Sequence, residues 1–201
     1  MFDHKFAPKS VAIAKPLAER WSPYGFSDRP IPDTDLQALF EAARWAASSY
    51  NEQPWRFILV RKNDGEAAYN DAMSCLLEAN QVWAANAPVL VFACTVEDLG
   101  QSGKPNKAAE HDLGIAAANL TFEAQMRGIS VHQIIGILPD KVRELYQVPE
   151  GVQPLTALAI GYADAPVGFP AHLQERDDSP RQRRPLSETL FTSRWGDPAW
   201  P

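Results

Sequence analysis

Residues 48–60 read Ser48-Ser49-Tyr50-Asn51-Glu52-Gln53-Pro54-Trp55-Arg56-Phe57-Ile58-Leu59-Val60. A row of hydrogen-bonding side chains runs directly into an apolar, β-prone stretch. Trp55 to Val60 reads as a buried strand, and the polar row before it as the place where a helix ends and that strand begins. Asn51 and Gln53 each carry a donor and an acceptor in one amide. A planar heterocycle with alternating carbonyls and ring nitrogens calls for that mixture. A capped turn accounts for one or two such residues; a whole row ahead of a buried strand points to binding.

Upstream, Leu36, Leu39, Phe40 and Ala43 recur at helical spacing behind Asp33 and Thr34, which can cap a helix running to about Ala47. Before that, Pro8, Pro16, Pro23, Pro30 and Pro32 deny long helix, leaving a short one over 11–19. Downstream, Lys62-Asn63-Asp64-Gly65 is a turn and 66–80 reads as one helix. Residues 88–95, with Val89-Leu90-Val91-Phe92 unbroken, form the clearest central strand. Residues 96–107 are a loop able to serve as a lid or pocket wall. Residues 108–127 carry the strongest helix, striped by Leu113, Ala116, Ala117, Leu120 and Ala124 and closed by Gly128. Then come a short strand over 129–132, a loop over 133–137, a helix from Pro139, and a last core strand over 155–162.

Everything after Ala163 is proline-rich and charged, yet it keeps Phe191, Trp195 and Trp200. It reads as an arm, about 180–201, that packs on something, possible partners including a second subunit. Helices and strands alternate with helices in excess, which predicts an α+β or α/β sandwich: one domain over 1–201, one mixed sheet covered by helices.

The 201 residues are 45% hydrophobic and carry a formal charge of -6, enough chain for a substantial core and a poor match to nucleic acid. The two cysteines, Cys75 and Cys94, read as reduced core thiols, and the four histidines form no ligand pair, so no metal is expected. Met1 to Ser10 has no apolar core of a targeting signal, and no stretch is long and apolar enough for a membrane span. The expected location is the cytoplasm. No GxGxxG, GxxxxGK[ST], GxSxG or HExxH occurs, so neither a Rossmann site, a P-loop, a serine hydrolase nor a zincin is signalled. Asp177-Asp178 reads as a solvated pair in a loop.

Two further clusters stand out. In Arg20-Trp21-Ser22-Pro23-Tyr24 the arginine and the serine hydroxyl lie two apart, on one side of an extended chain, where both can address one phosphate. Arg181-Gln182-Arg183-Arg184 is the dense basic cluster of an acidic chain. Taken with Ile135-Gly136 after the long helix, Leu158-Ala159-Ile160-Gly161-Tyr162, and Arg183-Arg184-Pro185-Leu186, these motifs resemble the nitroreductase family over about residues 17–190.

The resemblance implies a three-layer α/β/α sandwich of α+β class, a homodimer exchanging C-terminal arms, and FMN as cofactor. It implies that Arg20, Ser22, Arg181 and Arg183 hold the FMN phosphate and ribityl chain, with Tyr24 beside them where the family often has a basic residue. Asn51 would meet the ring edge with Gln53 in support, Ser48 and Ser49 would reach the flavin held mainly by the other subunit, and backbone N–H near Ile135 or Gly136 would point at flavin N5. The implied reaction is hydride transfer from NAD(P)H through the flavin to a nitroaromatic, quinone or similar small-molecule acceptor. Dehalogenation, dehydrogenation, or flavin binding without turnover remain alternatives at this point.

Overall fold

The computed structural model describes residues 5–7, 11–100, 102–166 and 168–200; most of the Met1–Ser10 stretch, and single positions in the 96–107 and 163–180 segments, lie outside them. Four strands, β1 (Trp55–Arg61), β2 (Val89–Val96), β3 (Ser130–Ile134) and β4 (Val152–Gly161), form a sheet of order β1-β2-β4-β3. Every strand pair in it is antiparallel. The expected mixed sheet is therefore corrected: within the described residues of one chain no strand pair runs parallel.

β2 shows why the sheet is a middle layer. Val89, Val91 and Ala93 face one cluster with Leu36, Leu39 and Ala43 of α2 (Asp33–Arg44) and Leu113, Ala117 and Leu120 of α5 (Ala109–Met126). Leu90 and Phe92 face the other, with Tyr69 and Met73 of α3 (Glu66–Met73), Trp83 of α4 (Glu78–Ala84) and Val142 of α6 (Pro139–Tyr146). Period-2 alternation of apolar residues with no polar partner face needs helices on both sides. The result is the α/β/α sandwich. At roughly 25 cal/mol per Å2 of apolar surface, burying one of these Leu or Phe side chains contributes about 2–3 kcal/mol.

Two helices differ from the expectation. The 66–80 helix is broken at Ser74–Leu77, because that backbone bonds elsewhere: the Leu138 N–H donates to the Cys75 carbonyl at 2.7 Å, and the Leu77 N–H to the Gly136 carbonyl at 2.9 Å. In the stretch after Ala163, α7 (Ala171–Asp178) forms behind Pro170. Its Asp177 is buried rather than solvated, and its carboxylate accepts from the Tyr24 N–H at 3.0 Å and the Gly25 N–H at 2.9 Å. Both cysteines are buried free thiols.

A short helix α1 (Lys15–Glu19) leads into residues 20–26, which cross the open edge of β3. On one side Ser22 shares a cavity with Thr121 and Phe122 of α5. On the other Tyr24 and Phe26 pack with Trp83. The crossing ends where Phe26 bridges Ala163 and the Ser27 N–H donates to the Tyr162 carbonyl. At the C-terminus the Phe191–Pro198 bridge closes a small loop that leaves Trp195 91% and Trp200 61% exposed.

Candidate functional site

The two ends of the chain meet at Arg20. Its Nη2 donates to Ser22 Oγ at 3.1 Å, and its Nε is buried with no hydrogen-bond partner among the described residues. Arg20, Ser22, Arg181 and Arg183 line one cavity of about 270 Å3 with Lys5 and Trp21. Arg20 and Ser22 also line an adjoining one of about 180 Å3 with Gln133, Thr121 and Phe122. Arg20, Arg181 and Arg183, joined by Arg184, reach a third of about 770 Å3, whose apolar wall includes Val11, Leu17, Phe122 and Leu186.

Burial, then the charge of Arg183, pushes the Arg20 pKa down; burial, then Arg20 and Arg183, does the same to Arg181. Guanidiniums that disfavour one another's charge form a site whose electrostatics improve when an anion enters. The three arginines are not equivalent. Arg181 Nη1 donates to the Ala18 carbonyl at 2.7 Å and the Lys5 carbonyl at 3.1 Å, so it clamps the C-terminal end of α1 directly before Arg20. Arg183 has one hydrogen bond among the described residues, to its neighbour's carbonyl at Gln182. Arg20, Ser22 and Arg183 are thus the groups with donors to spare, and a phosphate fits them.

Tyr24 is placed differently. Its ring meets Trp83 edge-on at 5.2 Å and His132 at 4.8 Å, with the Arg176 guanidinium over it at 5.5 Å, and its hydroxyl accepts from Arg176 at 3.2 Å. It lines none of the three cavities.

The Ser48–Gln53 run forms a strained, cross-braced loop. Tyr50, Asn51 and Gln53 have φ of 53°, 57° and 50°. Asn tolerates that region; for Tyr and Gln it costs about 1–2 kcal/mol each. Strain of this kind persists only where surrounding bonds over-determine it. Here the Gln53 N–H donates to Ser48 Oγ at 3.1 Å, the Gln53 amide to the Asn51 carbonyl at 3.0 Å, the Gly100 N–H to Glu52 at 3.0 Å, and the Ser49 N–H to Asp112 at 2.8 Å. Asp112 is 2% exposed in the first turn of α5, where the helix dipole favours its charge. Replacing Asp112 by alanine takes the acceptor from the part-buried Ser49 N–H and releases the loop; a loss of about 1–3 kcal/mol in urea denaturation is expected, while an unchanged midpoint would show that the loop holds without it.

Ile135 is 77% exposed, and the Gly136 carbonyl accepts from the Leu77 N–H and from Asn80 Nδ2 at 3.1 Å. A Cβ at residue 136 would overlap that Asn80 amide, so a larger residue there must displace the Asn80 side chain from the Gly136 carbonyl. Asn80, Gln133 and Asp112 escaped the sequence reading. The available signal for Asn80 was weak: asparagine is a poor helix former in what looked like a continuous helix.

The fold brings together Arg20, Ser22, Arg181 and Arg183, with Gln133 two residues before Ile135. It does not join them to the Ser48–Gln53 loop. That loop enters β1 and Ile135 follows β3, the opposite edges of the sheet, separated by three strand spacings or about 14 Å.

No group of three or more His, Cys, Asp or Glu side chains able to hold a metal ion occurs among the described residues, and none of their helices is long and apolar enough to cross a membrane.

An α/β/α sandwich of α+β class with arginine-lined cavities at one sheet edge is the class these features define. The chain belongs to the nitroreductase family, whose model matches residues 17–162. It is 32% identical over 71% of its length to 99% of an uncharacterized 15.4 kDa protein of Mycolicibacterium smegmatis. It is 27% identical to the FMN reductase [NAD(P)H] of Bacillus subtilis, over 75% of this chain and 65% of that protein. Among solved structures, an oxidoreductase containing FMN is 32% identical with a TM-score of 0.86, covering 94% of this chain and 96% of that one. A nitroreductase family protein of Clostridium difficile 630 shares the fold at a TM-score of 0.70 and 21% identity, over 92% of this chain and 99% of its own.

Proposed function

We propose that the chain is an FMN-dependent oxidoreductase that works as a homodimer, takes reducing equivalents from NAD(P)H and delivers them to a nitroaromatic, quinone or related conjugated small molecule. The observation that carries this reading is the convergence of Arg20 and Arg183, from opposite ends of the sequence, around a buried, unpartnered guanidinium nitrogen. A phosphate monoester supplies what that arrangement lacks. The relation to an FMN-containing oxidoreductase and to an FMN reductase supports the choice of FMN over other phosphates.

Arg20, Ser22 and Arg183 hold the phosphate, and Arg181 keeps the end of α1 in place behind them. Backbone N–H groups at Ile135 and Gly136 meet the ring. Asn51 and Gln53, with Ser48 and Ser49, lie on the far sheet edge, so in this reading they frame the ring held by the second subunit. Bound FMN would supply two-electron chemistry, so the protein needs no nucleophile of its own. Its residues bind, orient and exclude water, and their fixed donors stabilise negative charge that develops on the reduced ring. Exposed Ile135 leaves an apolar surface beside that ring for a flat acceptor.

The test is direct. Purified protein should be yellow, or turn yellow with added FMN, and NADH or NADPH should bleach it until an acceptor restores the colour. Protein that takes up no FMN ends the proposal; protein that binds FMN but is never bleached is a flavin carrier and not this enzyme. Dimerisation has its own check. Truncation after Leu190 removes Phe191, Trp195 and Trp200, and should shift light scattering toward the monomer mass and lower the melting temperature. Unchanged mass and melting would place the interface elsewhere.

A further inference from the structure

His132 lies on β3 between Val131 and Gln133, which line the smaller arginine cavity, so by strand alternation its ring points to the other sheet face, where Trp83 lies. Nδ1 is 2.8 Å from the Pro23 carbonyl oxygen, so that nitrogen carries the proton and donates. The ring stacks on Trp83 at 4.3 Å and 28°, and Tyr24 closes on it edge-on. Pro23 is buried and has no N–H of its own. It directly follows Ser22, at the point where residues 20–26 pass over the edge of β3 from the α5 face to the Trp83 face. Other ties on this crossing are the Lys5 ammonium over the Trp21 ring at 4.7 Å, Tyr24 and Gly25 to Asp177, and Phe26 to Ala163.

We propose that His132 is a positioning residue that tethers the Arg20–Ser22 phosphate grip to the strand leading into the Ile135–Gly136 ring contact, so that phosphate and ring are held at a set separation. This rests on the FMN reading above. Burial lowers the imidazole pKa, the bond to the Pro23 carbonyl opposes that, and the Arg20 charge lowers it again, with a net fall. A neutral ring with one proton is the form that the tether uses. Trp83 and Tyr24 fix the ring plane, and that plane fixes the direction in which the Nδ1–H points.

The tether acts on the phosphate end of the ligand and should not act on the ring alone. Riboflavin, which has the ring and lacks the phosphate, is therefore the control. Flavin fluorescence is titrated with FMN-stripped full-length protein, using FMN and riboflavin in parallel, for the wild type, H132F and H132N. Phenylalanine keeps the stack on Trp83 and loses the donor; asparagine puts an amide N–H near the Nδ1 position. FMN should bind H132F about tenfold more weakly, as expected for one lost hydrogen bond of about 1.4 kcal/mol. Riboflavin affinity should stay within about twofold, and H132N should recover most of the FMN affinity.

An unchanged FMN-to-riboflavin ratio in H132F, or equal losses for both flavins, overturns the proposal. A measurement on the unaltered chain covers a variant that does not fold: FMN, and not riboflavin, should slow exchange of the His132 Nδ1 proton seen by 15N NMR, and equal slowing by both also overturns it. Wild-type protein that binds neither flavin instead defeats the FMN reading itself.

Discussion

The double variant R20M/R183M should lose FMN affinity by two to four orders of magnitude while its flavin-free form melts no lower than the wild type. Methionine keeps much of each apolar stem and removes both charges. Hydrogen bonds from a guanidinium to a phosphate are worth about 1.5–3 kcal/mol each, so two arginines account for about 3–6 kcal/mol of binding. The flavin-free protein feels the opposite effect. Beside burial, the charge of Arg183 lowers the pKa of Arg20, and the charges of Arg20 and Arg183 lower that of Arg181, so neutralising Arg20 and Arg183 removes repulsion that no anion offsets. Equilibrium dialysis and thermal melting read the two effects separately. Wild-type FMN binding should also weaken with added salt, because the lobe is part-exposed and screened. An affinity for FMN that survives the double change within threefold would remove Arg20 and Arg183 from the site.

Gly25→Ala should be the most damaging small substitution near the site, at more than about 3 kcal/mol, because overpacking here meets backbone. A Cβ at residue 25 would overlap the Asp164 carbonyl oxygen. Neither side can yield easily. The Gly25 N–H donates to Asp177 at 2.9 Å, and its carbonyl accepts from the Asp164 N–H at 3.1 Å. Relief requires the 20–26 crossing to lift, which also pulls on the Phe26–Ala163 bridge. Urea denaturation should show a large fall in midpoint, and FMN affinity should fall with it. A midpoint within 1 kcal/mol of the wild type would mean that this crossing is softer than its hydrogen bonds suggest.

Much of the layer structure was legible in the residues. Unbroken apolar runs at Val89–Phe92 and Leu158–Ile160 marked strands buried on both faces, and the small-residue stripe of α5 marked its packing side. The basic clusters at Arg20 and Arg183 stood out singly in an acidic chain, and it was the family resemblance that implied they share one phosphate. Other features were hidden. Asp177 looked like half of a solvated pair, and nothing near it in the chain announces that it serves Tyr24 and Gly25, more than 150 residues away. Arg181 and Arg183 looked alike, yet one spends its donors on α1 carbonyls and the other does not.

The amino-acid order alone therefore determined which segments bury apolar faces and which carry clustered arginine or amide side chains, because periodicity, proline placement and charge act over a few residues. Tertiary structure alone decided the antiparallel order β1-β2-β4-β3, the break at Ser74–Leu77 and the separation of the Asn51 loop from the arginine lobe. Each of these depends on which distant backbone group wins a hydrogen bond. That competition is settled between segments brought together by folding, and no local pattern records its outcome.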